Sequence, residues 1–367
     1  MTKEELQSET ITFLRFPLIV GVIFIHSLLT RVVLDGENVL LDEHFPLYSN
    51  ISYFLSCILA RIAVPLFFFI SGFLFFYKIK EWSVPVYVRT IKKRGRTLFV
   101  PYLFWNLATL FIFFFQQSLF PEFGSGANKL IADYSCSDWL WAFWNTGEIN
   151  PGSVGGMPIC GPMWFMRDLM VVMLFSPLVY WGMKKMKGIF VFLLFCLWIG
   201  NCWLDVYGLN ITAFFFFSAG AYFSISNQTF IDKVQSVYPY SLGLYLLFSI
   251  VLLFYKNENG WVDYFMRVND VLGIMGVLAL SSLNIAKSRW KTSSLLSESS
   301  FFVFAYHIMP LGFLIRFGLK LFPPQTDVGA LFLYFSNPII ISLLGVLLYF
   351  GLKRFFPRIT AVITGGR

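Results

Sequence analysis

The sequence predicts an all-α, polytopic membrane bundle of about ten transmembrane helices, with both termini cytoplasmic. Three observations carry that prediction. Apolar residues make up 57% of the 367 positions and charged residues only 13%. Apolar stretches near the ~20 residues that a helix needs to cross hydrocarbon recur along the whole chain. The loops between them alternate in the sign of their charge. A soluble domain carries roughly a quarter charged residues, and 45 Phe with 11 Trp are more aromatic surface than one water-soluble core hides. The stretches are apolar all round, whereas helices of a soluble multidomain protein keep a charged outer face.

The chain opens on MTKEELQSET, polar and acidic, without the basic start and cleavage site of a secretory signal. The first apolar stretch, 12–33, is therefore expected to be retained as a span. The others fall at 52–77, 98–120, 163–182, 188–204, 210–226, 238–255, 268–286, 299–320 and 332–352. Stretches 188–204 and 210–226 are short and separated only by Asp205 to Leu209, which reads as one tight helical hairpin and suits an even count. One transmembrane domain over 1–367 is expected, with an outer loop at about 121–162 and no fused soluble domain.

Orientation follows from basic residues, which collect in cytoplasmic loops. Lys78, Lys80, Arg89, Lys92, Lys93, Arg94 and Arg96 lie between the second and third spans. Lys184, Lys185 and Lys187 follow the fourth, Lys287, Arg289 and Lys291 the eighth, and Lys353, Arg354, Arg358 and Arg367 the tenth. The intervening loops are acidic: Asp35, Glu37, Asp42 and Glu43, then Glu122, Asp133, Asp138 and Glu148, then Glu258 and Asp263. The net charge of +8 thus belongs to cytoplasmic loops, and nucleic acid is not implied as a partner.

None of the five cysteines has CxxC spacing and there are only three histidines, so no metal site is expected. Cys136 and Cys160 share the outer loop, where a disulfide or two free residues are both open. Chemistry is sought instead among polar residues within spans, which are costly there and face a cavity or a partner. These are Arg15, His26, Arg61, Arg167, Asp168, His307 and Arg316. Arg15 and His26 are eleven positions apart. On a helix that is about 16 Å along the axis and three turns plus about 20° around it, so both lie on one face. Two readings stay open at this point: snorkelling arginine and packing histidine, or a fixed cation and a titratable base along one stripe.

Arg15-x10-His26, in TFLRFPLIVGVIFIHS, resembles the first helix of the acyltransferase-3 family of integral membrane O-acyltransferases. RIAVPLFFFISGFLF, with Ser71-Gly72, resembles the family's second helix, and KKRGRTLFVPYLFWN its basic entry to the third. GPMWFMRDLMVV, SSFFVFAYHIMPL and the ending ITGGR are similar to later family segments in the same order. The resemblance covers nearly the whole chain.

It implies transfer of an acyl group, most often acetyl, from cytoplasmic acyl-CoA to a hydroxyl of an extracytoplasmic carbohydrate, a surface polysaccharide or lipid-linked glycan. It also implies a bacterial inner membrane. His26, with an imidazole that titrates near neutrality, is the expected general base, with Arg15 on the same stripe. The family's Arg-x-x-Arg element stands here as Lys93-Arg94-Gly95-Arg96, with Lys in the first position. Lys93, Arg94 and Arg96 are expected to hold the phosphates of the donor, although an ordinary cytoplasmic loop explains their charge as well. Ser71, Trp164, Arg167 and Tyr306 are candidates to bind substrate or the oxyanion. Asp168 is expected to pair with Arg167, His307 to pack within the bundle and His44 to be solvated. The Trp139, Trp141 and Trp144 group of the outer loop reads either as a sugar-stacking surface or as a short interfacial helix. A glycan transporter or flippase, or a sensor with a degenerate site, would share the same composition, but no second Arg-x10-His helix marks a repeated half.

Overall fold

The computed structural model describes residues 1–34, 37–79, 81–119, 128–151, 155–258 and 260–366. Asp35, Lys80, Glu122 and Arg367, read above as loop charges, lie outside them.

Helix α1 (Lys3–His26) starts at a capping box in which Thr2 Oγ1 accepts from Glu5 N and Glu5 Oε2 accepts from Thr2 N. It stops at His26, short of the predicted residue 33. Ser27 turns its hydroxyl back onto Ile23 O at 2.7 Å. The chain then enters an antiparallel hairpin, β1 (Arg31–Leu34) and β2 (Glu37–Leu40), with Arg31 opposite Leu40. The β-branched Val32 and Val33 favour that extended backbone over a further helical turn.

Helices α2 (Pro46–Phe76) and α3 (Val84–Leu119) follow. The basic segment before Leu98, read as a loop, is the first part of α3, opened by Ser83 at the N-cap and Pro85 in the first turn. A short helix, α4 (Cys136–Ala142), precedes α5 (Gly161–Leu174) and α6 (Ser176–Met186), which meet at 58°. Pro177 causes that bend, because it cannot donate to Met173 O. Helices α7 (Gly188–Ile199) and α8 (Ile211–Ile225) form the expected hairpin. They are followed by α9 (Phe230–Ser236), α10 (Tyr240–Phe254) and α11 (Trp261–Ala286). Helices α12 (Ser294–Tyr306) and α13 (Ile308–Leu321) diverge by 67° at His307, where Pro310 leaves Tyr306 O without its helical donor. Helix α14 (Asp327–Phe355) and the short α15 (Pro357–Thr364) end the chain.

Among the described residues, α1, α2, α3, α11 and α14 are each long and apolar enough to cross a bilayer. The bent pairs α5–α6, α9–α10 and α12–α13 bring the number to as many as eight, and α7 and α8 account for the two remaining apolar stretches. Nine of the fifteen residues of α8 are buried, so this helix is shorter than a membrane is thick and lies enclosed by its neighbours.

Its closest neighbour is α2, and the crossing depends on two glycines. A Cβ on Gly72 would fall 1.9 Å from Phe217 O, and one on Gly220 would fall 1.9 Å from Phe69 O. Such backbone contact is how small residues bind helices together in a bilayer. Arg61 Nε bonds Asp270 Oδ2 at 3.0 Å and ties α2 to α11.

Tertiary bonds sort the two ends of the bundle. Lys3 pairs with Asp232, Glu9 accepts from Thr292, Lys353 pairs with Glu298 and Trp105 donates to Ile363 O. These gather the chain's N-terminus, α9, the start of α12 and α15 at one end. At the other, Tyr48 N donates to Asp327 and Lys256 to Asn50.

Outside the spans, α4 has its own cap: Ser135 Oγ accepts from Asp138 N, and the Asp138 carboxylate accepts from Ser135 N and from Lys129 Nζ at 2.7 Å. The Lys129 ammonium, with the Ser135 hydroxyl and amide, holds the Asp138 carboxyl down at about 2. A depressed carboxyl contributes above its unfolded value of ~3.9 and is lost as pH falls through the folded one. The cap is thus intact at neutral pH and dissolves only toward pH 2. Ser135→Ala is expected to speed amide exchange in α4 about fivefold at pH 7, with the spanning helices unchanged.

Candidate active site

Helix α1 presents Arg15, Ile19 and Val22 to a cavity of about 1090 Å³, its mouth included. Their spacing is that of one helical face, and His26 continues it one turn further. The opposite walls are aromatic. Phe165 of α5 packs against Phe67 and Phe68 of α2 and against Phe304 of α12, with ring centroids 4.7–6.0 Å apart. Ser71, Ser297 and Ser300 supply hydroxyls to an otherwise apolar lining.

Two guanidiniums open into this space, Arg15 and Arg94. Neither has a carboxylate partner among the described residues, and no Asp or Glu lines the cavity. Arg94 lies against the Phe75 ring at 6.0 Å. Two unneutralised cations in a half-buried, apolar-walled space attract an anion with several charges. Lys93 and Arg96, expected beside Arg94, are exposed and outside the cavity. The reason is helical: consecutive residues of α3 point in different directions, and only Arg94 faces inward.

Beyond Val22, the imidazole of His26 lies 5.3 Å, centroid to centroid, from that of His307. His307 is fully buried at the bend between α12 and α13. Its Nδ1 is 2.6 Å from Phe304 O. A carbonyl only accepts, so Nδ1 carries the proton and Nε2 presents a lone pair. That Nε2 has no hydrogen-bond partner among the described residues. His307 packs within the bundle, as expected, and the ring it packs against is the one that the Arg-x10-His spacing singled out.

The remaining candidates divide. Ser71 lines the cavity, two residues from the Phe69 contact with Gly220. Arg167 is spent elsewhere: it pairs with Asp168 at 2.8 Å, donates to Trp144 O and to Gly156 O, and stacks on the Trp144 ring. It ties the loop that holds Trp144 and Gly156 to α5. Tyr306 stacks on Phe302 and meets Gly345 of α14, so its ring faces away toward α14. Trp164 is half-buried in the core and outside the cavity lining. His44 is exposed beside Phe45, and Arg316 lines a separate depression with Lys129. Cys136 is exposed, Cys160 buried and both are free, so the disulfide left open above is absent. Trp139, Trp141 and Trp144 are each more than a third exposed on or beside α4, the short-helix arrangement.

Three residues were not singled out from the sequence. Ser297 and Ser300 lie about two turns before Tyr306, and only the α12 register shows that they reach the cavity. Asp270 lies within a predicted span, and an intramembrane carboxylate was itself the available signal.

The model of the acyltransferase-3 family, described as an acyltransferase domain, matches residues 9–359. The chain belongs to that family. It is therefore a multi-pass membrane acyltransferase. It is also similar to the succinoglycan biosynthesis protein ExoH of Rhizobium meliloti (strain 1021), with 26% identity over 373 residues that cover 98% of this chain and 92% of that protein. No solved structure matches the chain.

Proposed function

We propose that this acyltransferase moves an acetyl group from acyl-CoA, bound from the N-terminal and cytoplasmic face of a bacterial inner membrane, to a hydroxyl of a carbohydrate on the opposite face. The observation that carries the reading lies along α1: the cavity holding Arg15 and Arg94, which have no carboxylate partner among the described residues, reaches Val22, one helical turn short of the His26–His307 pair. Arg94 and Arg15 receive the phosphates, and the apolar channel between Ile19, Phe165 and Phe304 accommodates the pantetheine arm. The acceptor hydroxyl attacks the thioester carbon while His26 takes its proton. The tetrahedral oxyanion accepts from Ser71, one of the three serine hydroxyls that line the cavity. Collapse breaks the C–S bond, and the imidazolium returns its proton to the departing thiolate. Membership of a carbohydrate pathway is stated in the name of the R. meliloti relative and supports a glycan acceptor here.

Isotope-labelled acetyl-CoA supplied to membranes containing the protein tests this reading. Label is expected in ester linkage on the surface glycan, read by mass spectrometry, and label confined to CoA and acetate would overturn it. Within the same assay Arg94→Gln is expected to raise the KM for acetyl-CoA about 10- to 100-fold, the worth of a lost charge-assisted bond. Lys93→Gln and Arg96→Gln are expected to change it no more than a few-fold, because exposed charges outside the cavity are screened.

A further inference from the structure

Past His26 the first helix ends, and Leu28, Leu29 and Thr30 form one wall of a second cavity of about 1260 Å³, its mouth included. The facing wall belongs to the start of α2, through Ser52, Tyr53 and Cys57. Asp42 and Glu43 close one side, and Lys256 with Asn257 the other. Part of this lining is committed to shape. The Tyr48 hydroxyl accepts from Leu29 N at 2.7 Å and donates to Leu29 O at 3.0 Å, while Lys256 Nζ donates to Ser49 Oγ at 2.9 Å and to Asn50 Oδ1 at 2.7 Å. The cleft is therefore held open by its own bonds. The side chains of Thr30, Asp42, Glu43, Tyr53 and Asn257 make no hydrogen bond or ion pair among the described residues, and all five residues line the space.

The two cavities on either side of His26 differ in sign. The first holds two guanidiniums and no carboxylate, the second two carboxylates and one ammonium already engaged by Ser49 and Asn50. An anionic donor is drawn to the first and repelled by the second. What suits the second is an uncharged polyol. Carboxylates accept from hydroxyl groups, the Asn257 amide both donates and accepts, and the Tyr53 ring offers an apolar face to a pyranose.

We infer that this outer cleft, formed by Thr30, Asp42, Glu43, Tyr53 and Asn257, is the acceptor subsite and takes a neutral sugar unit whose hydroxyl reaches His26 from the side opposite the donor. The inference rests on the transfer reaction proposed above. It predicts that cleft residues control acceptor recognition and leave donor recognition alone.

The test uses the full-length protein in nanodiscs, labelled acetyl-CoA, and the producing cell's own surface polysaccharide freed of its esters by mild alkali. For Asp42→Asn/Glu43→Gln and for Tyr53→Ala, the KM for polysaccharide is expected to rise about tenfold or more with the KM for acetyl-CoA unchanged. A second measurement needs no change in those residues. In a variant whose sole cysteine is Cys57, the polysaccharide is expected to slow labelling by a membrane-impermeant maleimide at least fivefold, and acetyl-CoA is not. No transfer by the wild-type protein would sink the proposed function itself. Transfer by the wild type with an unaltered acceptor KM in the cleft variants and an unprotected Cys57 would leave that function standing and overturn the cleft. Label found on an acidic sugar would likewise overturn the neutral-acceptor assignment.

Discussion

Replacing His26 with Ala lowers acyl transfer by about 10²–10⁴-fold while the amount of protein in the membrane stays the same. That factor is the usual contribution of a positioned general base. A sugar hydroxyl is too weak an acid to attack a thioester unaided at neutral pH, and no Asp or Glu lines the cavity assigned to the donor. His26→Gln fails in the same way, because a carboxamide fills the space but does not accept a proton. The loss should appear in the maximal rate and scarcely in the KM for acetyl-CoA, since Arg94 and Arg15 remain to bind the donor. Abundance is expected to hold because His26 is only partly buried and makes no hydrogen bond among the described residues; its ring contact is with His307. Initial rates with labelled acetyl-CoA, normalised to protein by immunoblot, check the result.

Gly220→Ala, and equally Gly72→Ala, sharply reduces the amount of folded protein. In both cases the added Cβ falls 1.9 Å from a backbone carbonyl oxygen of the facing helix, Phe69 O or Phe217 O. A side chain in the way can rotate, but a carbonyl moves only with its helix. Overpacking a core by a methylene costs about 1–3 kcal/mol. Separating α2 from α8 also undoes the packing of Phe75 and Phe76 on Phe217 and of Phe69 on Phe223, so about 3 kcal/mol or more is expected. Gly243→Ala and Gly351→Ala are the matched controls, since nothing lies within 4 Å of a Cβ at either position. Thermal melting in detergent should drop for the first pair and stay within a degree or two for the second. Ser71 lies beside Gly72, so the Ser-Gly pair joins a cavity hydroxyl to the packing contact that fixes it.

Much of this was legible in the sequence, for definable reasons. The membrane bundle followed from composition and from apolar stretches, because a bilayer constrains every backbone polar group and leaves few alternatives. Arg15 and His26 were found on one face because a single helix fixes both by its period. What the sequence hid were relations between helices. The pairing of His26 with His307 depends on the bend that Pro310 imposes, and the inward aim of Arg94 on α3 beginning at Val84. Arg167 read as an oxyanion candidate, and only the fold shows it engaged by Trp144, Gly156 and Asp168. Helix ends were misplaced where a strand or a proline intervened, as at residues 27–34 and at Phe175.

The central claim is that one His26 serves a donor arriving from the N-terminal face and an acceptor on the other. Proteoliposomes with labelled acetyl-CoA sealed on the N-terminal side and polysaccharide only on the opposite side test it directly. Ester-linked label is expected on the polysaccharide with wild-type protein, and at least a hundredfold less with His26→Ala. Equal labelling by the His26→Ala protein, or transfer only when donor and acceptor share one compartment, would contradict it.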